Sequence, residues 1–235
     1  MENYKKNLKL LTDSHVYSKE MEHDACGVGL IASTEGKKSR AIVEYGIEAL
    51  KAVWHRGAVD ADGKTGDGAG IHVEVPKDFF IEKVEVTGHT YDNSEICVGM
   101  IFLPRNDYTA QESCKTIVES ELTKNDFSIY GWRQVPVNPK VLGEKAFQTM
   151  PEIIQVLFKS NNPELLNKDL ERKIYETRRI IENKAFQISL NNFYICSFSS
   201  KSIIYKGMFL AEAISDFFLD LKDKRFISRY AIFHQ

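Results

Sequence analysis

The sequence predicts a layered α+β domain. Three observations carry this reading: short apolar runs of strand length, several segments with apolar residues at three- and four-residue spacing, and no repeat or linker dividing the chain. The organisation begins at Cys26. Gly27 to Ala32 (GVGLIA) reads as a strand whose glycines permit close backbone approach. Ser39 to Trp54 reads as a helix, with Ile42, Gly46, Ala49, Leu50, Val53 and Trp54 on one face. A glycine-rich loop, Gly57 to Gly70, leads to strand alternation at Ile71, Val73 and Val75. Ile96 to Leu103 is a second strand of this part, stopped by Pro104.

Further on, Tyr108 to Leu122 is helical, with Cys114, Ile117, Val118 and Leu122 inward. Phe127 to Val135 and Ile153 to Phe158 read as strands. Leu166, Leu170, Ile174, Ile181 and Ala185 mark the longest amphipathic helix. Phe193 to Phe198 and Ser202 to Tyr205 form a strand pair around the turn Ser199-Ser200-Lys201. A helix over Ala211 to Leu221 and a strand over Phe226 to Phe233 complete the count. The first 25 residues are polar and lack a period.

Composition narrows the function. The 235 residues are 43% hydrophobic and 27% charged, enough to bury a sizeable core. Lys and Arg total 31 against 33 Asp and Glu, a net charge of -2, which argues against a nucleic-acid partner. No apolar run reaches the roughly 18 residues of a membrane span, and Lys9 interrupts the apolar stretch that a secretory signal would need. Cys26, Cys97, Cys114 and Cys196 are widely spaced with no C-x-x-C pair, against a zinc site or redox dithiol and for a cytoplasmic protein with reduced thiols.

The glycine-rich stretch imitates two ligand loops and satisfies neither. Gly63-Lys64-Thr65 resembles the end of a P-loop, but five residues separate it from Gly57, and the stretch follows a helix rather than a strand. Asp60 and Asp62 begin like a calcium loop, yet Lys64, Thr65 and Ile71 fill positions that need a ligand, a glycine and a carboxylate. A tight solvent-facing turn remains as the plain alternative, with Asp60, Asp62 and Asp67 shaping it.

Cys26 has two readings. A single cysteine before an apolar strand is ordinarily a small buried hydrophobe. Here polar Glu22-His23-Asp24-Ala25 precede it and glycine follows, so the sulfur can stand at the exposed start of a strand. A nucleophile there, freed from its leader, can use its own α-amino group, of pKa about 7.7 to 8.0, as general base. A papain-like arrangement would instead recruit a distant histidine, for which His55, His72 and His234 are available and spacing selects none.

Glu22-His23-Asp24-Ala25-Cys26-Gly27-Val28-Gly29, His55-Arg56-Gly57-Ala58 and Ala61-Asp62-Gly63-Lys64-Thr65-Gly66-Asp67-Gly68-Ala69-Gly70 together resemble the amino-terminal glutaminase domain of glutamate synthase large subunits, a class II glutamine amidotransferase. Later echoes are Gly131-Trp132-Arg133-Gln134-Val135-Pro136, Phe193-Tyr194-Ile195-Cys196-Ser197, Ile204-Tyr205-Lys206-Gly207-Met208 and Phe233-His234-Gln235. The resemblance implies the N-terminal-nucleophile sandwich, αββα, with residues 1–25 a propeptide and 26–235 the amidotransferase domain. It implies Cys26 as the nucleophile on L-glutamine, and Arg56 beside it, either favouring the thiolate or pinning the loop. It implies no cofactor in this chain, FMN and an iron–sulfur cluster in the complete enzyme, and a synthase domain and small subunit as partners.

The same resemblance implies an incomplete sandwich at the C-terminal side. In the family, Phe-His-Gln runs on into Arg-Phe-Ser-Thr-Asn, whose arginine holds the substrate carboxylate. Asn-Gly further on supplies the oxyanion hole, and an aspartate binds the amino group. A chain ending at Gln235 carries none of these, and losing an oxyanion donor costs on the order of 10² to 10³ in rate. Two further expectations stand beside the glutaminase: a non-catalytic remnant or binding fragment, and a thiol hydrolase acting on other amides.

Overall fold

The computed structural model describes residues 2–14, 18 and 27–235. Eight strands form two antiparallel four-stranded sheets. The first sheet holds β1 (Val28–Ala32), β2 (Ala69–Glu74), β7 (Ser202–Gly207) and β8 (Tyr230–His234), in the order β1-β8-β2-β7. The second holds β3 (Cys97–Leu103), β4 (Phe127–Gln134), β5 (Glu152–Ser160) and β6 (Tyr194–Ser199), in the order β4-β5-β3-β6. The helices are α1 (Glu2–Asp13), α2 (Arg40–Ala52), α3 (Lys77–Val86), α4 (Tyr108–Lys124), α5 (Glu144–Thr149), α6 (Asn167–Gln187) and α7 (Ile214–Phe217).

Alternation along β3 shows how the layers are made. Val98 and Met100 join a core shared with α2 and the first sheet, whereas Cys97, Ile101 and Leu103 join a second core under α4 and α6. Cys114, Val118 and Leu122 of α4 and Leu170, Ile174 and Ile181 of α6 close that second core. Helix α2 packs against β8, β1 and β2 through Ile42, Val43, Ile47 and Leu50. The mixed α+β expectation holds, and the two antiparallel sheets are consistent with the nucleophile-type sandwich.

Close approach of α2 to β8 depends on Gly46, where a Cβ would stand 2.5 Å from the Cβ of Ala231. Ala231 is a strand residue with no torsion to yield. Gly46→Ala is therefore expected to destabilise the fold by about 1–3 kcal/mol through overpacking, despite alanine's better helix propensity. Urea denaturation measures it; an unchanged midpoint would contradict the packing account.

Several sequence expectations are corrected. The first 25 residues, which lack a period in the sequence, contain α1, a helix without a buried face, in which Tyr4, Leu10 and Leu11 are exposed. Trp54 does not extend the inward face of α2; it lies in a 3-10 turn, Trp54–Arg56, and points out. Leu166 precedes α6 as its extended N-cap and is exposed. The Ala211–Leu221 helix is broken into two 3-10 turns around α7, and Phe218, in an extended conformation (φ −90°, ψ 100°), interrupts it between α7 and the last turn. The last strand starts at Tyr230, since Phe226 is held in a turn by its N–H bond to Asp223 O while its ring fills the core.

The Phe193–Tyr205 pair is also different in kind. β6 and β7 belong to different sheets, and the turn between them carries the chain across. Glu171 of α6 secures that turn: Ser199 Oγ donates to Oε2 at 2.7 Å, while Ser200 N and Oγ donate to Oε1 at 2.8 and 2.7 Å.

Candidate functional site

The topology brings the two ends of the motif-bearing sequence together. β8 inserts between β1 and β2, in register with both. Beyond the strand ends the ladder continues: Gly27 N donates to Gln235 O at 2.6 Å, and Gln235 N donates to Gly27 O at 2.9 Å. Gly27 is bonded to Cys26, which lies outside the described residues together with the 25/26 boundary expected for cleavage.

Helix α2 delivers the second element. Ser39 starts it, its Oγ accepting from Ile42 N, and Val53 ends it, so the chain turns through Trp54–Arg56 beside Gly27, the residue before β1. There the Arg56 stem lies across Gly27: a Cβ on that glycine would be 3.0 Å from Arg56 Cγ and 3.1 Å from its Cβ. The structure thus places one expected site residue, Arg56, against the neighbour of the other. Arg56 as a residue is exposed.

The loop after Arg56 is fixed by its own groups. Asp62 Oδ1 accepts from Lys64 N at 2.9 Å and Thr65 N at 2.7 Å, and Oδ2 accepts from Thr65 Oγ1 at 2.6 Å. These bonds hold the Asp62 carboxyl well below its usual range, the Thr65 hydroxyl contributing most. Asp60 is lowered too, chiefly by its 2.6 Å bond from Lys145 of α5. Gly63 adopts φ +71°, a turn conformation that glycine tolerates. Arg56 takes no part in these bonds.

Thr65 also caps a helix from outside it. Gly143, the N-cap of α5, offers no side chain, and Thr65 Oγ1 instead accepts from Ala146 N at 3.3 Å. Thr65 is 2% exposed. Thr65→Val keeps the shape and removes both bonds, an expected loss of about 1–2 kcal/mol in urea denaturation. A value near zero would mean that α5 is not docked through this hydroxyl. Sequence reasoning missed this clasp because α5 is only six residues long and Lys145 is remote from Asp60.

The three candidate histidines separate. His55 is in the exposed 3-10 turn, His72 is on β2, and His234 on β8 pairs with Val28, two residues from Cys26. Burial lowers the pKa of His234, with Lys206 adding to it, and burial lowers that of His72. The other thiols are unsuited to attack at neutral pH. Burial pushes Cys114 up to about 11 and Cys196 up to about 12, and raises Cys97 well above its ordinary value. Among the described residues no group of three His, Cys, Asp or Glu side chains is placed to hold a metal ion, and no helix is long and apolar enough to cross a membrane.

Comparison with known proteins agrees with this arrangement. The chain is 54% identical over 232 residues to the glutamate synthase [NADPH] large chain of Azospirillum brasilense, covering 99% of this chain and 15% of that protein. It is 38% identical over 216 residues to ferredoxin-dependent glutamate synthase 1, chloroplastic/mitochondrial, of Arabidopsis thaliana, covering 91% and 13%. The figure is 37% over 216 residues, with the same coverage, for ferredoxin-dependent glutamate synthase 2 of Synechocystis sp.. The chain therefore spans about one seventh of the length of these relatives. A match to the family described as glutamine amidotransferases class-II covers residues 26–235, beginning at the cysteine whose neighbour Arg56 overlies. From Cys26 onward, this chain belongs to the class-II glutamine amidotransferases.

Proposed function

We propose that the chain is the glutaminase portion of a glutamate synthase and hydrolyses the side-chain amide of L-glutamine at Cys26. The observation that carries the reading is Arg56 lying across Gly27, the residue bonded to Cys26. A guanidinium that reaches the sulfur from there would favour thiolate over thiol. Exposure of Tyr4, Leu10 and Leu11 on α1 supports residues 1–25 as a removable leader, since no core face is lost with that helix.

In this mechanism cleavage before Cys26 frees its α-amino group, which takes the proton from the thiol. The sulfur adds to the amide carbon of glutamine, and the resulting oxyanion collapses with the proton passed to nitrogen. The C–N bond breaks, ammonia leaves, and a γ-glutamyl thioester remains. Water then adds, the amine takes its proton, and the C–S bond breaks to give glutamate and the free thiol. In a complete synthase the ammonia would serve glutamate formation from 2-oxoglutarate, in a partner domain that supplies FMN and iron–sulfur chemistry.

Intact-mass measurement tests this reading. The chain is expected to begin at Cys26 and, mixed briefly with glutamine, to gain one γ-glutamyl group. An uncut chain that never carries the adduct would refute it. The register of His234 beside Val28 supports a second reading in which that imidazole is the base. His234→Gln distinguishes them: the amine mechanism keeps thioester formation, whereas the histidine mechanism loses it.

A further inference from the structure

We propose that the cavity at the seam between the two sheets, at the end of the first sheet away from Gly27, binds a small organic dianion. The inference stands apart from the glutaminase reading, since it uses no residue of that site.

The cavity holds about 500 Å³, the size of a small-molecule site, and four cationic side chains line it with two carboxylates. The cations are Lys38, Lys77, Lys201 and Arg229; the carboxylates are Glu74 and Glu95. The surplus is two positive charges in a chain whose net charge is -2, so the concentration is local and does not follow from composition. Topology explains the gathering. Glu74 ends β2, Tyr230 begins β8, and Lys201 sits in the turn that crosses between the sheets. From Tyr230 in this cavity, β8 runs to His234 beside Val28, at the opposite end of the sheet.

Two of the cations are already engaged. Arg229 Nε lies 3.1 Å and Lys38 Nζ 3.5 Å from Glu74 Oε1, and Arg229 N donates to Oε2 at 2.6 Å. One carboxylate thus serves two cations and fixes their side of the wall. Lys77, Lys201 and Glu95 make no ion pair among the described residues. The backbone adds charge of the same sign. Leu166, the N-cap of the 21-residue α6, gives no side-chain bond to the first-turn N–H groups, and Asn167, the first helical residue, is in the cavity wall. Those N–H groups carry the positive end of the helix dipole, which Asp169 in the first turn offsets in part.

Lys201 is held in place before any ligand arrives. Val75 N donates to Lys201 O at 3.0 Å, and Glu171 clasps the two serines that precede it. Cations arranged in advance favour an anion, because little ordering remains to be done on binding. A single chloride would leave most of the volume empty and one charge unmatched, whereas a dianion of a few carbons satisfies both.

Isothermal titration calorimetry of the full chain tests this with two probes, succinate for a dicarboxylate and glycerol 3-phosphate for a phosphate ester. One saturable site is expected for at least one of them, and the probe that binds identifies which acidic group the cavity takes. Lys201→Gln and Lys77→Gln should each weaken binding about tenfold. Neither lysine is in an ion pair, so the melting temperatures of the unliganded variants should stay at the parent value. Glu95→Gln removes an unpaired carboxylate from the wall and should tighten binding about threefold, a gain that a misfolded variant could not give. Lys140→Gln, outside the cavity, should leave affinity unchanged. If neither probe binds, or if affinity stays at the parent value in all three cavity variants, the inference is overturned and the glutaminase reading is untouched.

Discussion

Replacing Cys26 with alanine is expected to abolish ammonia release from glutamine, a loss on the order of 10⁶-fold, the scale seen when a hydrolase loses its nucleophile. The other thiols cannot substitute. Cys97, Cys114 and Cys196 are buried, and burial holds each of them in the thiol form near pH 7. Cys114→Ala should accordingly leave turnover as it was. The reaction should also depend on pH in a definite sense. On the proposed amine mechanism the base has a free pKa of about 7.7 to 8.0 and works only when neutral, so the rate should rise as pH passes through that range. Ammonia release in Cys26→Ala at the parent rate would sink the assignment of the nucleophile.

How much of this was legible in the sequence depends on the range of the signal. Helix α6 declares itself through Leu170, Ile174 and Ile181, because an amphipathic helix writes its buried face into local spacing. Helix α3 does not: its Phe79-Phe80-Ile81 run and flanking valines read equally as strand, and only tertiary contact of Phe79 with Phe226 decides its place. The site divides the same way. Cys26 and Arg56 are proposed from motifs, and the structure adds that the Arg56 stem crosses Gly27. Pairing of Gly27 with Gln235 joins opposite ends of the chain, and nothing local encodes it. The same holds for β6 and β7, whose short connecting turn reads as a hairpin but crosses between sheets.

The largest loss of stability from one side chain is expected at Asp220. This carboxylate is 4% exposed and accepts two bonds from Arg133, at 2.5 Å from Nη2 and 2.8 Å from Nη1. Tyr205 Oη donates to the same Oδ2 at 2.9 Å. Gln155 closes the ring, donating from Nε2 to Tyr205 Oη at 3.3 Å and accepting from Arg133 Nη1 at 2.7 Å. The four residues come from β4, β5, β7 and the turn after α7, so the network ties both sheets to the aromatic cluster of Phe217 and Phe218. Asp220→Ala leaves a guanidinium buried without its counter-charge, and an expected loss of about 3–5 kcal/mol follows. Asp220→Asn should cost less, since it keeps an acceptor for one of the Arg133 bonds. The paired substitution Arg133→Met with Asp220→Leu is the decisive comparison, because it removes both charges while keeping volume. Its loss should be smaller than that of Asp220→Ala, since the desolvation cost goes with the pair. If the double variant is instead the less stable of the two, the penalty at Asp220 comes from lost packing, and the ion pair is not what locks the sheets together.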